Sequence, residues 1–189
     1  MGYCLSVALI DPKRLRAVPG SRNRRLMTRV LDGMKSLNPD WDDDPDRLKD
    51  EIALWEILDG RYSRPEWYSH YGWMWSAVCD ELGCSIPVSN FCPCGTEFLE
   101  WLGEQLRPHR VPLMMARLVV VPPMRLPPPN DWPCVGHWTA AEMRRGAGPL
   151  RRAIPKLRDA RAAEALEEVG GWLAAADKRP GHILVGFYG

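Results

Sequence analysis

Six aromatic rings crowd the stretch YSRPEWYSHYGWMW: Tyr62, Trp67, Tyr68, Tyr71, Trp73 and Trp75. From Tyr68 to Leu82, the residues Tyr71, Trp75, Val78 and Leu82 fall at i, i+4, i+7 and i+11, which is one stripe of a helix, and Gly83 is a natural stop. A helix packed on a core has one buried face. On this spacing Tyr71 and Trp75 belong to it. Trp67, Tyr68 and Trp73 cannot all join them, so some of these rings face a groove, a partner or a loop. Trp41, Trp132 and Trp138 lie in loops or at helix starts, where large rings also need cover. Such rings are favoured anchors of recognition surfaces, because they bury much area with little loss of conformational freedom. The candidate binding residues are therefore Trp67, Tyr68, Trp73, Trp132 and Trp138.

The rest of the chain supplies the frame. Tyr3 to Ile10 is a short apolar run closed by Asp11-Pro12 and reads as a buried strand followed by a short helix to about Ala17. Ser21 can cap a second helix, with Leu26, Met27, Val30, Leu31 and Met34 on one face. The acidic loop NPDWDDDP leads into a helix from about Asp46 to Leu58, whose stripe reads as Leu48, Ile52, Trp55 and Leu58. That loop lacks the alternating ligands, central Gly and closing Glu of a calcium loop. Cys84 to Gly95 is irregular, and Thr96 opens a helix with Phe98, Leu99, Leu102 and Leu106 inward. LMMARLVVV, Leu113 to Val121, reads as a middle strand, and VPPMRLPPPNDWP after it as an extended connection. Thr139 and Glu142 form a capping box, Pro155 to Asp177 is the longest helix, and ILVGFY is a closing strand. Strands at both ends and one between, with helices in the gaps, give an α+β fold: a small sheet packed with several helices. The length, 189 residues, suits a single globular domain spanning 1–189.

Composition removes several functions. A net charge of +1 lacks the basic excess that nucleic-acid binding needs. No apolar run approaches the ~20 residues of a membrane span, and no basic stretch precedes the apolar N-terminal run, so no signal peptide is expected. The expected setting is cytoplasmic, with all six cysteines as thiols. The wealth of Arg over Lys, with abundant Ala, Pro and Gly, suggests a GC-rich bacterial source.

LPPPNDWPCVGHWTAAEM (Leu126–Met143), the closing LVGFYG and the helix YGWMWSAVCDELG resemble an uncharacterised bacterial protein family, actinobacterial in type and of unknown function. Its pattern is a Pro-rich loop, then Asp-aromatic-Pro, then Gly-aromatic-hydrophobic-Thr, with a terminal Val-x-Phe-Tyr. The resemblance implies a shared fold unit and nothing catalytic, and it implies no fixed metal ligands at Cys92, Cys94, Cys134 or His137.

Other chemistry is weaker in the sequence. Cys79, Cys84, Cys92 and Cys94 lack paired zinc knuckles. If a metal is bound at all, the best set is Cys92, Cys94, Cys134 and His137, since Cys134-x-x-His137 has knuckle spacing. Cys134 with His137 is also the nearest thiol–imidazole pair, but no nucleophile elbow or oxyanion loop surrounds it. The basic clusters around Arg22–Arg29 and Arg144–Arg152 read as solvated helix faces, and GAGPL is no phosphate loop. The expectation is thus a cytoplasmic protein without a cofactor that recognises a peptide or protein partner through an aromatic-lined surface, in a biosynthetic or defence operon. A small-molecule guest and a homodimer stay open as partners. The alternatives are an enzyme acting on a small molecule or modified peptide through a Cys/His or metal site, and a zinc-stabilised structural module.

Overall fold

Leu5–Ile10 (β1) and Ile183–Tyr188 (β4) carry almost unbroken apolar side chains, and a strand of that kind is stable only with both faces covered. They pair with each other antiparallel, from Leu5 opposite Tyr188 to Ile10 opposite Ile183. Cys84–Ile86 (β2) adds to β1 and Cys134–Trp138 (β3) adds to β4, giving an antiparallel sheet of order β2-β1-β4-β3. The computed structural model describes residues 4–92, 95–128 and 133–189. The fold class is α+β, as the sequence indicates.

Helices cover both faces. Pro12–Arg16 (α1), Arg24–Leu37 (α2), Arg47–Asp59 (α3) and Tyr68–Leu82 (α4) lie on one side. There Ala8, Ile10, Val185 and Phe187 of the sheet meet Leu26, Val30, Ile57, Trp75 and Val78. Thr96–Leu106 (α5), Ala140–Ala153 (α6) and Ala160–Asp177 (α7) lie on the other. There Leu5, Val7, Leu9 and Leu184 meet Leu102, Leu150, Leu166 and Trp172. Each fully buried side chain of this size contributes about 1.5–3 kcal/mol. The α4 stripe is as expected: Tyr71, Trp75 and Val78 are sealed. The capping box on α6 is formed in both directions between Thr139 and Glu142. The long helix expected from Pro155 begins instead at Ala160, where Asp159 caps it, and Ile154–Lys156 forms a separate 3-10 turn.

Three expectations are corrected. The expected strand at Leu113 to Val121 is a 3-10 turn over Met115–Val119, and the third strand is instead Cys134–Trp138. The reason is visible in two glycines. Gly136 and Gly186 face each other in the β3–β4 pair and leave a notch. The turn sits in that notch: a Cβ on Gly136 would come within 2.1 Å of the Arg117 carbonyl oxygen, and one on Gly186 within 2.7 Å of that of Leu118. The apolar run packs onto the sheet, with Met115, Leu118 and Val119 buried. Second, α3 buries Ala53, Leu54, Ile57 and Leu58, while Leu48 and Trp55 are exposed. Third, the cysteines are not all thiols, because Cys4 and Cys92 form a disulfide.

The notch gives a direct test. Gly136→Ala should lower stability by about 3 kcal/mol, since the crowding atoms are backbone and cannot rotate away. Gly171→Ala, on an open face of α7, should raise it by about 0.5–1 kcal/mol. Thermal unfolding of the two variants reads both signs, and equal effects would remove the notch from the account.

Candidate functional site

The polar residues of α3 define the site. Glu56 is buried, and a buried carboxylate is tolerated only when donors surround it. Four donors converge on it: the Ser63 N–H at 3.1 Å, the Ser63 hydroxyl, the Arg64 guanidinium and the Tyr71 hydroxyl. Arg64 in turn lies 4.7 Å over the Trp67 ring. The Trp75 indole N–H donates to the Tyr62 hydroxyl at 3.2 Å. Together these bonds fix the segment between α3 and α4. Burial alone would push the Glu56 carboxyl up, but the bonds from Ser63 and Tyr71 and the Arg64 charge outweigh it and hold it below the ordinary 4.5. Burial, with the Glu56 carboxylate beside it, pushes the Tyr71 hydroxyl well above its usual value.

With α3 and α4 held this way, a groove of about 690 Å³ opens between α2, the segment 38–46, the start of α3 and the outer face of α4. Trp73 stands on it, 43% exposed. Met34 and the largely exposed Leu37 add apolar wall, and the buried Trp41 adds its ring. The Trp41 indole N–H has no acceptor among the described residues. Asp50 lies inside, and its carboxylate is 2.7 Å from His70 Nδ1. Burial raises the Asp50 carboxyl above its ordinary 3.8, and the His70 contact only partly offsets this. Burial also raises Asp80, whose carboxylate accepts the Ser85 hydroxyl at 2.6 Å. Arg29 reaches in from α2 and pairs with Glu81.

The expected site residues scatter. Trp73 lines the groove. Trp67 is half-buried just behind, its ring 5.7 Å from that of His70, edge to face. Tyr68 is buried, donates to the Pro133 carbonyl at 3.1 Å and has its hydroxyl pushed up to about 12 by burial. Trp138 is sealed in the opposite core, where its indole N–H donates to the Met114 carbonyl at 2.9 Å. Neither offers surface to a guest. Trp132 and Cys94 lie outside the described residues.

The expected thiol and metal chemistry does not assemble. Cys92 is bonded to Cys4. Cys134 and His137 lie on one strand at odd separation, so their side chains leave opposite faces of the sheet. The His137 ring N–H at Nδ1 donates to the Val121 carbonyl at 2.7 Å, and burial pushes the Cys134 thiol up, away from the reactive thiolate. Among the described residues no three His, Cys, Asp or Glu come together to hold a metal ion. The His70–Asp50 pair could orient an imidazole, but no hydroxyl or thiol among the described residues hydrogen-bonds that ring, so it is no nucleophilic triad.

Asp50, His70 and Asp80 escaped the sequence reading. The signal was there: Asp50, Ala53, Leu54 and Ile57 keep helical spacing as well as the Leu48–Trp55 stripe does. The donors that make a buried carboxylate acceptable on that side of α3, from Ser63, Arg64 and Tyr71, lie beyond the helix.

Among the described residues no helix is long and apolar enough to cross a membrane. A family model described as a domain of unknown function, DUF7691, matches residues 1–189. No curated protein and no solved structure matches the chain.

The Glu56 cluster can be tested by pH. A carboxyl held below its ordinary value stabilises the fold above the unfolded value and loses that stabilisation as pH falls from 4.5 through the folded one. Glu56→Gln should therefore cost about 3 kcal/mol at pH 7. The gap from wild type should shrink below pH 4.5 in denaturant titrations. Taking the difference matters, because the raised Asp50 and Asp80 contribute with the opposite sign. A gap that is constant down to pH 3 would contradict the buried charged cluster.

Proposed function

Because the chain belongs over its full length to the family DUF7691, whose description assigns no activity, the function has to be argued from the site, and we propose that the protein recognises a peptide or protein segment in the groove beside Trp73. The observation that carries this is the half-exposed indole on a groove of about 690 Å³, within the volume range of ligand sites. A Trp held by a rigid helix loses little freedom on binding and buries a large area. Trp67 supports it from behind through His70 and Arg64. The enzyme reading through Cys134 and His137 lacks a shared face, and the zinc-module reading loses Cys92 to its disulfide.

The proposal includes a bacterial, cytoplasmic setting. The Cys4–Cys92 bridge bears on it, because reducing compartments keep such pairs open. Trapping thiols in intact cells with an alkylating agent reads the state directly, and a bridge found closed there would move the protein to an oxidising compartment.

The binding surface is tested by screening an array of randomised decapeptides with the wild-type protein and with Trp73→Ala. Trp73→Ala should weaken the wild-type binders by about 2 kcal/mol, roughly thirtyfold. Trp55→Ala, on an exposed indole outside this groove, should leave them unchanged. An array with no binder that depends on Trp73 would remove the proposal. A dimer of the chain that Trp73→Ala dissolves would replace the peptide with a second copy.

A further inference from the structure

We infer that the segment this groove takes is basic: its Arg or Lys side chains lie against Asp50 and Asp80, and a main-chain carbonyl accepts the indole N–H of Trp41. The inference rests on the recognition reading above and names the class of its partner.

The charge balance of the groove is the first support. Its charged lining is Arg29, Asp44, Asp46, Asp50, Asp80 and Glu81, with His70 the other titratable group. Arg29 pairs with Glu81, and Lys49 reaches Asp46 at 2.7 Å. Asp44, Asp50 and Asp80 are left without a Lys or Arg partner among the described ion pairs, in a chain whose net charge is +1. The acidity is therefore local to the groove, not a property of the whole surface.

Burial is the second support. The Asp50 side chain is only 12% exposed, so water screens it poorly and an incoming cation would meet it at low effective dielectric. Burial raises the Asp50 carboxyl and the His70 contact only partly offsets this, the sign of a carboxylate short of compensation, while Asp80 stands at the exposed end of the groove. Guanidinium and ammonium groups, which pair with single carboxylates, match acids that stand on two different helices.

The third support is independent of charge. Trp41 is 3% exposed, lines the groove, and holds an N–H with no acceptor among the described residues. A buried donor left unpaired is unfavourable, and a carbonyl of a bound chain would relieve it. The apolar stems of Arg or Lys suit Met34 and Leu37, and a guanidinium can stack on the Trp73 face.

The test reads the composition of the Trp73-dependent binders on the decapeptide array. Arg and Lys should be enriched in them and Asp and Glu depleted. For the best basic decapeptide, Asp50→Asn and Asp80→Asn should each weaken binding about tenfold in fluorescence anisotropy. Both substitutions keep shape, and circular dichroism checks that both variants fold. The wild-type protein gives a second reading that needs no variant. Affinity should fall as pH drops from 7 toward the raised range above 3.8, as Asp50 and Asp80 lose charge while Asp46, held low by Lys49, keeps its own. Trp73-dependent binders that are neutral or acidic would overturn this inference and leave recognition standing. Basic peptides that bind the Trp73→Ala and Asp50→Asn proteins as well as wild type would also overturn it, since the attraction would then lie elsewhere.

Discussion

One buried carboxylate orients the half of the molecule that carries the groove. Glu56 is buried between α3 and α4, where an unpaired charge would be costly. It is held there by Ser63, Arg64 and Tyr71. Those partners come from the connection to α4 and from α4 itself, so the same bonds set the rotation of α3 and its spacing from its neighbour. With Glu56 turned inward, Asp50, six residues earlier, is carried onto the buried side of α3, and Leu48 and Trp55 are turned out. The acidic interior of the groove is thus a consequence of how one charge elsewhere on the helix was satisfied.

The sheet supplies the rest of the rigidity. Its two central strands are far apart in sequence and buried on both faces, so both helical layers pack on the same strand pair. The glycine pair at positions 136 and 186 admits a turn of main chain against the sheet on the side away from the groove. The loop ahead of α5 is pinned there too: Glu168 of α7 accepts from the Ser89 and Asn90 main-chain N–H groups at 2.8 and 2.9 Å. One layer is built on the α5–α7 core. The other carries the open groove, with Trp73 on the outer side of a helix whose inner side, Tyr71 and Trp75, is sealed.

Elements set by local patterning were legible in the sequence. The α4 stripe, the Thr139–Glu142 box, the two terminal strands and the inward face of α5 all follow from spacing within a few residues. What was not legible depended on partners distant in sequence. The run at Leu113 to Val121 has strand composition but sits where a glycine notch accepts a turn. The α3 face was misread because the donors that make a buried Glu56 acceptable lie beyond the helix. Cys134-x-x-His137 has the spacing of a knuckle, yet the segment is a strand and splits the pair. For the site, the exposed ring at Trp73 was foreseeable from one helix having one inward face, whereas the acids around it were not.

The most direct measurement is a two-dimensional nitrogen–proton spectrum of the protein with its nine tryptophan indoles assigned, recorded while an arginine- and leucine-containing decapeptide from the array is added. The account predicts that the Trp41 indole proton moves downfield as it gains an acceptor and that Trp73 shifts with it, while Trp138 and Trp172 in the opposite layer stay in place. Binding that leaves Trp41 and Trp73 unmoved, with shifts confined to other indoles, would contradict it.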